Sequence, residues 1–407
     1  MNSGMTVLFV AMSNSIHTAR WISQISDQGW DIHLFPSIDV RRLHSSLRNI
    51  SVHEVIYTYQ DYDNVDPSVR LQGIPLPNKN WVGRAKRLVK QNRPYHRIGQ
   101  LKKVIEKVKP DIIHSMEIQH AGYLTADVYQ RFKKDDFPPW IVTNWGSDIF
   151  LFGRLKHHKH RIRKVLENCE FYSCESYRDV KLAKEFGFVG EILPVIPNTG
   201  GFDFNLLPRL RQGGEISSRR LIMLKGYQGV FGRSLVGLRA LERCADLLQD
   251  YEIVIYSAPH EVEIAAEIFS ISTGIPVKIM PHDTTHLEIL RLHGRARISI
   301  GLSISDGIST SFLEAIVMGS FPIQSNTGSC DEWIEDGETG FIVPPEDPEI
   351  VERAIRGAIT NDVLVNKAAE INYETAKEKL DYSLLKSIAI GMYKTVTDQS
   401  GAVREVS

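Results

Sequence analysis

The first clear pattern is an apolar run, Val7–Ala11, whose β-branched and bulky side chains predict a buried strand. A polar turn, Ser13-Asn-Ser15, follows it. Ala19, Ile22, Ile25 and Trp30 then supply one apolar face, which predicts a helix ending near Gly29, and Asp31–Phe35 reads as a second strand. A β-α-β opening of this kind favours a parallel sheet with its ligand edge at the carboxyl ends of the strands. The alternation continues through the strand candidates Asp111–His114, Trp140–Asn144 and Glu170–Cys174, each followed by a helical stretch. It starts again in Arg220–Leu224, Glu252–Tyr256, Val277–Met280, Ile298–Gly301 and Phe321–Gln324. Tyr373–Tyr393 reads as a helix able to cap either half.

Between the two series lie Pro194–Gly201, Pro208 and the polar run Arg209–Arg219, rich in turn residues and poor in apolar periodicity. The linker is placed there. The expected organisation is an α/β domain over residues 1–205, a second over 206–375, and a C-terminal helix and tail, 376–407, packing back on the first.

Composition narrows the function classes. A chain of 407 residues with 43% hydrophobic and 24% charged content can bury a core in each of two domains. A net charge of −1 argues against a surface devoted to nucleic acid. The four cysteines, Cys169, Cys174, Cys244 and Cys330, have neither CxxC nor zinc-site spacing, so reduced thiols are expected. The first strand has no basic residue before it and runs into a polar turn instead of a cleavage site. No run approaches the roughly eighteen apolar residues of a membrane-spanning helix. A cytoplasmic protein is therefore expected.

The chemistry concentrates in Ile298–Asp347. Strand Ile298–Leu302 leads through a small polar turn, Ser303–Ile308, into a helix start at Ser309. Ser309, Thr310 and Ser311 offer hydroxyls and free backbone N–H groups there, and a helix N-terminus of that kind attracts anions. Asp306 precedes this start and Glu314 follows it, with seven residues between them. The two carboxylates can flank a bound diphosphate sugar. The plainer alternative is a capping arrangement, with Ser309 as N-cap and Glu314 solvated.

The run Ser305-Asp-Gly-Ile-Ser-Thr-Ser-Phe-Leu-Glu-Ala315, with Gly319–Ile323 and Asp336–Asp347, resembles the donor signature of family 4 glycosyltransferases of group 1 type. The resemblance implies an α/β architecture of GT-B type: two facing Rossmann-like domains with parallel sheets and an interdomain cleft. It also implies retaining transfer from a nucleotide-sugar donor, without metal or other cofactor. Asp306, Gly307, Ser309, Thr310 and Ser311 would meet the donor, Asp306 at the sugar, and Glu314 at the ribose. The first acid of the family pair is usually Glu, so Asp306 is a departure. In Met223–Arg233, Lys225 and Arg233 are the candidates to face the diphosphate; Tyr227 stands where the family carries Arg. A surface ion pair is the alternative use of Arg233. Ser13–Trp21, Pro110–His114 and Thr143–Asp148 are similar to the family's acceptor-side loops. They make His17, Glu117 and His120 acceptor-side candidates and Asp148 a catalytic one. Met116 and Trp145 stand where many relatives carry His.

By the same resemblance the acceptor hydroxyl attacks the face the nucleoside diphosphate leaves, and the protein positions and stabilises charge. The acceptor would be a glycan or a lipid-linked sugar. Between Arg84 and Lys109 the chain has ten Lys or Arg and one acid, Glu106; His157–Lys164 forms a second basic cluster. These read as solvated helix faces, or as a peripheral contact with an anionic membrane surface on its inner face. A nucleotide-sugar epimerase of the same fold and a non-enzymatic two-lobed sugar-binding protein are the rival readings. A dehydrogenase is disfavoured because no GxGxxG follows the first strand.

Overall fold

The apolar runs become the centres of two parallel sheets. The computed structural model describes residues 4–40, 42–58, 62, 65–77, 80–81 and 96–406. The chain divides into one unit of Met1–Gly200 with Leu385–Ser407 and another of Gly201–Leu384.

In the first unit, β1 (Thr6–Ala11), α1 (Ile16–Ile25), β2 (Asp31–Pro36), β3 (Ser51–Tyr57) and β4 (Arg70–Pro75) precede α2 (His96–Val108) and β5 (Ile112–Met116). Then come α3 (Tyr123–Tyr129), β6 (Trp140–Thr143), α4 (Ser147–Phe150), α5 (Lys156–Leu166), β7 (Phe171–Ser173), α6 (Tyr177–Glu185) and β8 (Glu191–Ile192). The strand order is β4-β3-β2-β1-β5-β6-β7-β8. All of its neighbours pair parallel. Strands covered by helices on both faces must be apolar throughout, and Val7–Ala11 are indeed fully buried.

The second unit comprises β9 (Leu221–Lys225), α7 (Ser234–Arg243), β10 (Glu252–Tyr256), α8 (His260–Thr273), β11 (Val277–Ile279), α9 (His286–Arg295) and β12 (Ala296–Gly301). It continues with α10 (Thr310–Met318), β13 (Phe321–Ser325), β14 (Phe341–Val343), α11 (Pro348–Thr360) and α12 (Asp362–Leu380). Its order, β11-β10-β9-β12-β13-β14, is parallel throughout. Helix α13 (Tyr382–Val406) closes the chain.

Both sheets reverse their strand order beside the first strand, between β1 and β5 and between β9 and β12. Connections leave a parallel sheet on opposite faces at such a point and open a crevice at the strands' carboxyl ends. Residues just after β5 and β9 and just after β12 are thereby brought to a ligand edge.

The helix expected over Tyr373–Tyr393 is two helices. Asp381 interrupts it and caps the second, its Oδ1 accepting from the N–H groups of Ser383 (2.9 Å) and Leu384 (3.1 Å). Beyond the break, α13 enters the first unit's core. The indole N–H of Trp21 donates to the Tyr393 hydroxyl (2.7 Å), whose proton goes to His114 Nδ1 (2.7 Å), leaving His114 Nε2–H for Thr143 Oγ1 (2.7 Å). Burial lowers His114 to about 3, which keeps that imidazole neutral. All four cysteines are free and buried. Among the described residues no helix is long and apolar enough to cross a membrane.

Candidate active site

Lys225 ends β9, and the turn after its neighbour β12 carries Asp306 and Ser309; parallel pairing of Leu224 with Ile300 sets the two side by side. Lys225 Nζ donates to Ser309 Oγ at 3.2 Å and lies 3.8 Å from Asp306 Oδ2. Ser309 Oγ is 2.8 Å from Ser311 Oγ, and Ser311 is hydrogen-bonded to buried Tyr256 at the end of β10. Gly307 donates its N–H to Asp306 Oδ1 at 3.0 Å, which fixes the acid before the helix. Ser309 occupies the N-cap position of α10, yet its hydroxyl makes no capping bond. The capping alternative therefore does not hold: the hydroxyl accepts from Lys225 and bonds Ser311, and the N–H groups of Thr310 and Ser311 stay available to an anion. Thr310 is the first residue of that turn.

Glu314, one turn into α10, is not solvated but 5% exposed. Its Oε1 lies 2.8 Å from Nε2 of His286 and its Oε2 3.9 Å from Nε2 of His293. The two histidines are seven residues apart on α9 and so share a face. His293 is fully buried, with Nδ1 2.8 Å from Ser299 Oγ, and burial lowers it to about 4. His286 opens the helix after the N-cap Thr285, and its side chain is 42% exposed. Sequence reasoning missed both histidines, because α9 carries no motif; the only signal was their shared face.

The loop after β9 is tight. A side chain at Gly232 would put its Cβ 2.0 Å from the Tyr227 carbonyl oxygen, and Gly229 has φ +90°, so glycine is required at both. The loop sets the Lys225 ammonium over the Tyr227 ring, 4.5 Å from its centroid. Arg233, the other diphosphate candidate, is anchored within the loop. Its Nε donates to Glu346 Oε1 (2.8 Å) and its Nη1 to the carbonyls of Gly229 (3.0 Å) and Gly232 (2.8 Å). A guanidinium so engaged braces the loop, and Lys225 is the cation that meets Asp306 and Ser309.

In the first unit the acceptor-side candidates gather after β5 and β6. Glu117 adopts φ 75°, unusual for a residue with a side chain, and its carboxylate accepts from the N–H groups of His120 (2.8 Å) and Ala121 (2.5 Å). It thereby caps the π turn Ile118–Gly122. Asp148 accepts from the N–H groups of Ile118 (2.9 Å) and Trp145 (2.9 Å), tying the two loops together. Both carboxyls are buried. Burial first, then the charge of Glu117, pushes Asp148 up to about 8, and burial raises Glu117 too. Asp148 thus holds backbone in place. His120 is half-exposed, its Nδ1 3.8 Å from Glu117 Oε2, and the His17 ring packs 5.3 Å from that of Trp145.

Of the basic stretches, Arg84, Lys86, Arg87, Lys90 and Arg93 lie outside the described residues. Helix α5 exposes Lys156, His157, Lys159, His160, Arg161 and Arg163. Arg161 pairs with Asp127 at 3.1 Å.

Family models match both halves of the chain: one described as glycosyl transferase 4-like over residues 6–172, another as glycosyl transferases group 1 over residues 239–378. No curated protein sequence matches it. Among solved structures it is similar to a sucrose-phosphate synthase from Thermosynechococcus elongatus, with a TM-score of 0.67 at 13% identity, covering 98% of this chain and 100% of that one. HepE from Anabaena, solved in complex with UDP-glucose, gives 0.67 at 12% identity over 96% and 100% of the two chains. A glycosyltransferase from Rickettsia africae gives 0.66 at 14% over 97% and 99%.

Proposed function

Because the chain belongs to the family 4, group 1 glycosyltransferases and has their GT-B fold, we propose that it moves a hexose, with retention of configuration, from a nucleotide-sugar donor to a hydroxyl of a glycan or lipid-linked acceptor. The observation that carries this reading is the meeting of Lys225, Ser309 and Asp306 at the second sheet's switch point, against the start of α10. A nucleoside diphosphate leaving group gains negative charge as the glycosidic bond breaks. Lys225 and the α10 N–H groups are fixed donors for that charge, and fixed donors stabilise a transition state without reorganising. Asp306 can accept from sugar hydroxyls and Glu314 from the ribose. That the related HepE was solved with UDP-glucose supports a donor of this class.

The reading continues with the acceptor hydroxyl attacking the same face of the sugar and losing its proton to the departing phosphate oxygen. Arrangement of the substrates would then provide most of the rate. No metal is part of the scheme. Synthesis of a cell-surface polysaccharide or glycoconjugate is the role we assign, on the cytoplasmic side. The exposed cations of α5 support a peripheral contact with anionic lipid.

A thermal-shift screen against UDP-, GDP- and ADP-sugars, followed by anomeric analysis of the transfer product, tests the proposal. Specific stabilisation by one donor class and a retained anomeric centre are expected. No stabilisation by any donor would refute the donor reading, and an inverted product the retaining one.

A further inference from the structure

Tyr227 is a residue at which this chain departs from its family, and the structure gives its ring a defined place. The backbone around it is pinned. Gly226 donates its N–H to the Tyr256 carbonyl (2.8 Å), and its own carbonyl accepts from the Ser234 hydroxyl (3.0 Å). The Tyr227 carbonyl accepts from the Ser234 N–H (3.1 Å). Gly226 has no room for a side chain, since a Cβ would stand 2.8 Å from both the Tyr256 carbonyl oxygen and the Ala258 Cα. The ring presented by this fixed backbone is 50% exposed, so it is no core residue. The Lys225 ammonium stands 4.5 Å from its centroid.

A lysine reaches its ligand on a flexible four-carbon stem, and fixing that stem costs conformational entropy. Ser309 accepts one of the three ammonium N–H groups at 3.2 Å, while Asp306 Oδ2, at 3.8 Å, lies beyond hydrogen-bond reach. The Tyr227 face supplies a further hold. An aromatic face attracts a cation, most strongly where water is excluded, and the Lys225 side chain is only 15% exposed. Unlike a second carboxylate, the ring adds no negative charge that would repel an arriving phosphate.

We propose that Tyr227 is a positioning residue: its ring holds the Lys225 ammonium where the terminal phosphate of a nucleoside diphosphate arrives, and so sets a preference for diphosphate over monophosphate nucleotides. This rests on the nucleotide-sugar reading of the site.

The test is isothermal titration of the full chain with UDP, GDP and ADP and with the matching monophosphates. The wild-type chain is expected to bind the diphosphate of one base at least about tenfold tighter than its monophosphate. Tyr227→Leu keeps apolar bulk but loses the π face, and should cut that preference about fivefold by weakening the diphosphate alone. Unchanged monophosphate affinity in the same variant shows that the fold is intact. Tyr227→Phe keeps the face and should hold the preference within about twofold of wild type. In a Lys225→Met background, Tyr227→Leu should change the preference by less than about twofold, because the ring then has no charge to hold. An undiminished preference in Tyr227→Leu overturns the inference and leaves the donor reading standing. So does equal loss in Leu and Phe, equal weakening of both nucleotides, or a full effect of Tyr227→Leu without Lys225. A wild-type chain that binds no nucleotide, or a Lys225→Met chain that keeps the whole preference, overturns the role of Lys225 and the inference together.

Discussion

Replacing Lys225 by Met removes one charge and keeps the aliphatic stem, which makes it a sharper perturbation than truncation to Ala. The ammonium stands 3.8 Å from Asp306 Oδ2 and 3.2 Å from Ser309 Oγ in a largely buried position. A unit charge developing about 4 Å away, at an effective dielectric of about 20, interacts with it by about 4 kcal/mol. Asp306 already draws on that charge, so the part realised only in the transition state is smaller, about 2–3 kcal/mol, within the range for one fixed oxyanion donor. That converts to a fall in kcat of about 30- to 150-fold. Folding should barely notice, because the partly exposed ion pair with Asp306 is worth about 1 kcal/mol or less. Initial rates at saturating donor, beside thermal melting of the same preparations, read both quantities. A folded Lys225→Met with kcat and KM within threefold of wild type would refute a leaving-group role for this lysine.

Two further outcomes follow from the first unit. Burial raises Asp148 from its ordinary 3.8 to about 8, so the folded state holds a proton that the unfolded state releases. That stabilisation is full below about pH 4 and is lost as pH rises through about 8. The Tm difference between wild type and Asp148→Asn should therefore shrink steadily over that window, above a constant offset from the backbone N–H that Asn cannot accept; a difference independent of pH would contradict it. The exposed cations of α5 predict co-sedimentation with anionic vesicles at low ionic strength that weakens as salt is added, each cation giving about 1 kcal/mol. Absence of binding at low salt would remove the membrane contact.

Much of the fold was legible because the central strands of doubly covered parallel sheets must be apolar throughout. Val7–Ala11 and Ile298–Gly301 stand out for that reason, and both are buried. The edge strand β4 escaped notice for the converse reason, whereas the edge strand β11 was expected as Val277–Met280. β4, Arg70–Pro75, has no buried residue along its length and presents no apolar run. The break at Asp381 was hidden because α12 and α13 have compatible patterns, although Asp before Tyr382-Ser-Leu-Leu385 is itself a capping signal.

In the candidate site, the Asp306–Glu314 spacing announced two carboxylates but not their surroundings. Lys225 joins Asp306 through strand register, a relation between residues some eighty positions apart. The companions of Glu314 sit on a helix with no motif. Arg233 shows a further limit: its position by resemblance suggested a diphosphate, and nothing in the sequence pointed to its ion pair with Glu346, over a hundred residues away. Charge type is visible in a sequence; which opposite charge arrives is decided by packing.

The docking of α13 bears on how the molecule comes into being on the ribosome. Trp21 lies on the first unit's α1, yet its indole N–H is answered by Tyr393, 372 positions later. His114 waits 279 positions for the same hydroxyl. The nascent first sheet can pair its strands as soon as they emerge, but its core stays open, with two polar groups unanswered, until the final helix has left the exit tunnel. The second unit has no such debt to the chain's end, since Phe202 donates its N–H to the Leu380 carbonyl and accepts from the Tyr382 N–H, close to where that segment begins and ends. The half synthesised first is thus the half completed last, and a message truncated before Tyr393 would yield a finished second unit attached to an unfinished first one.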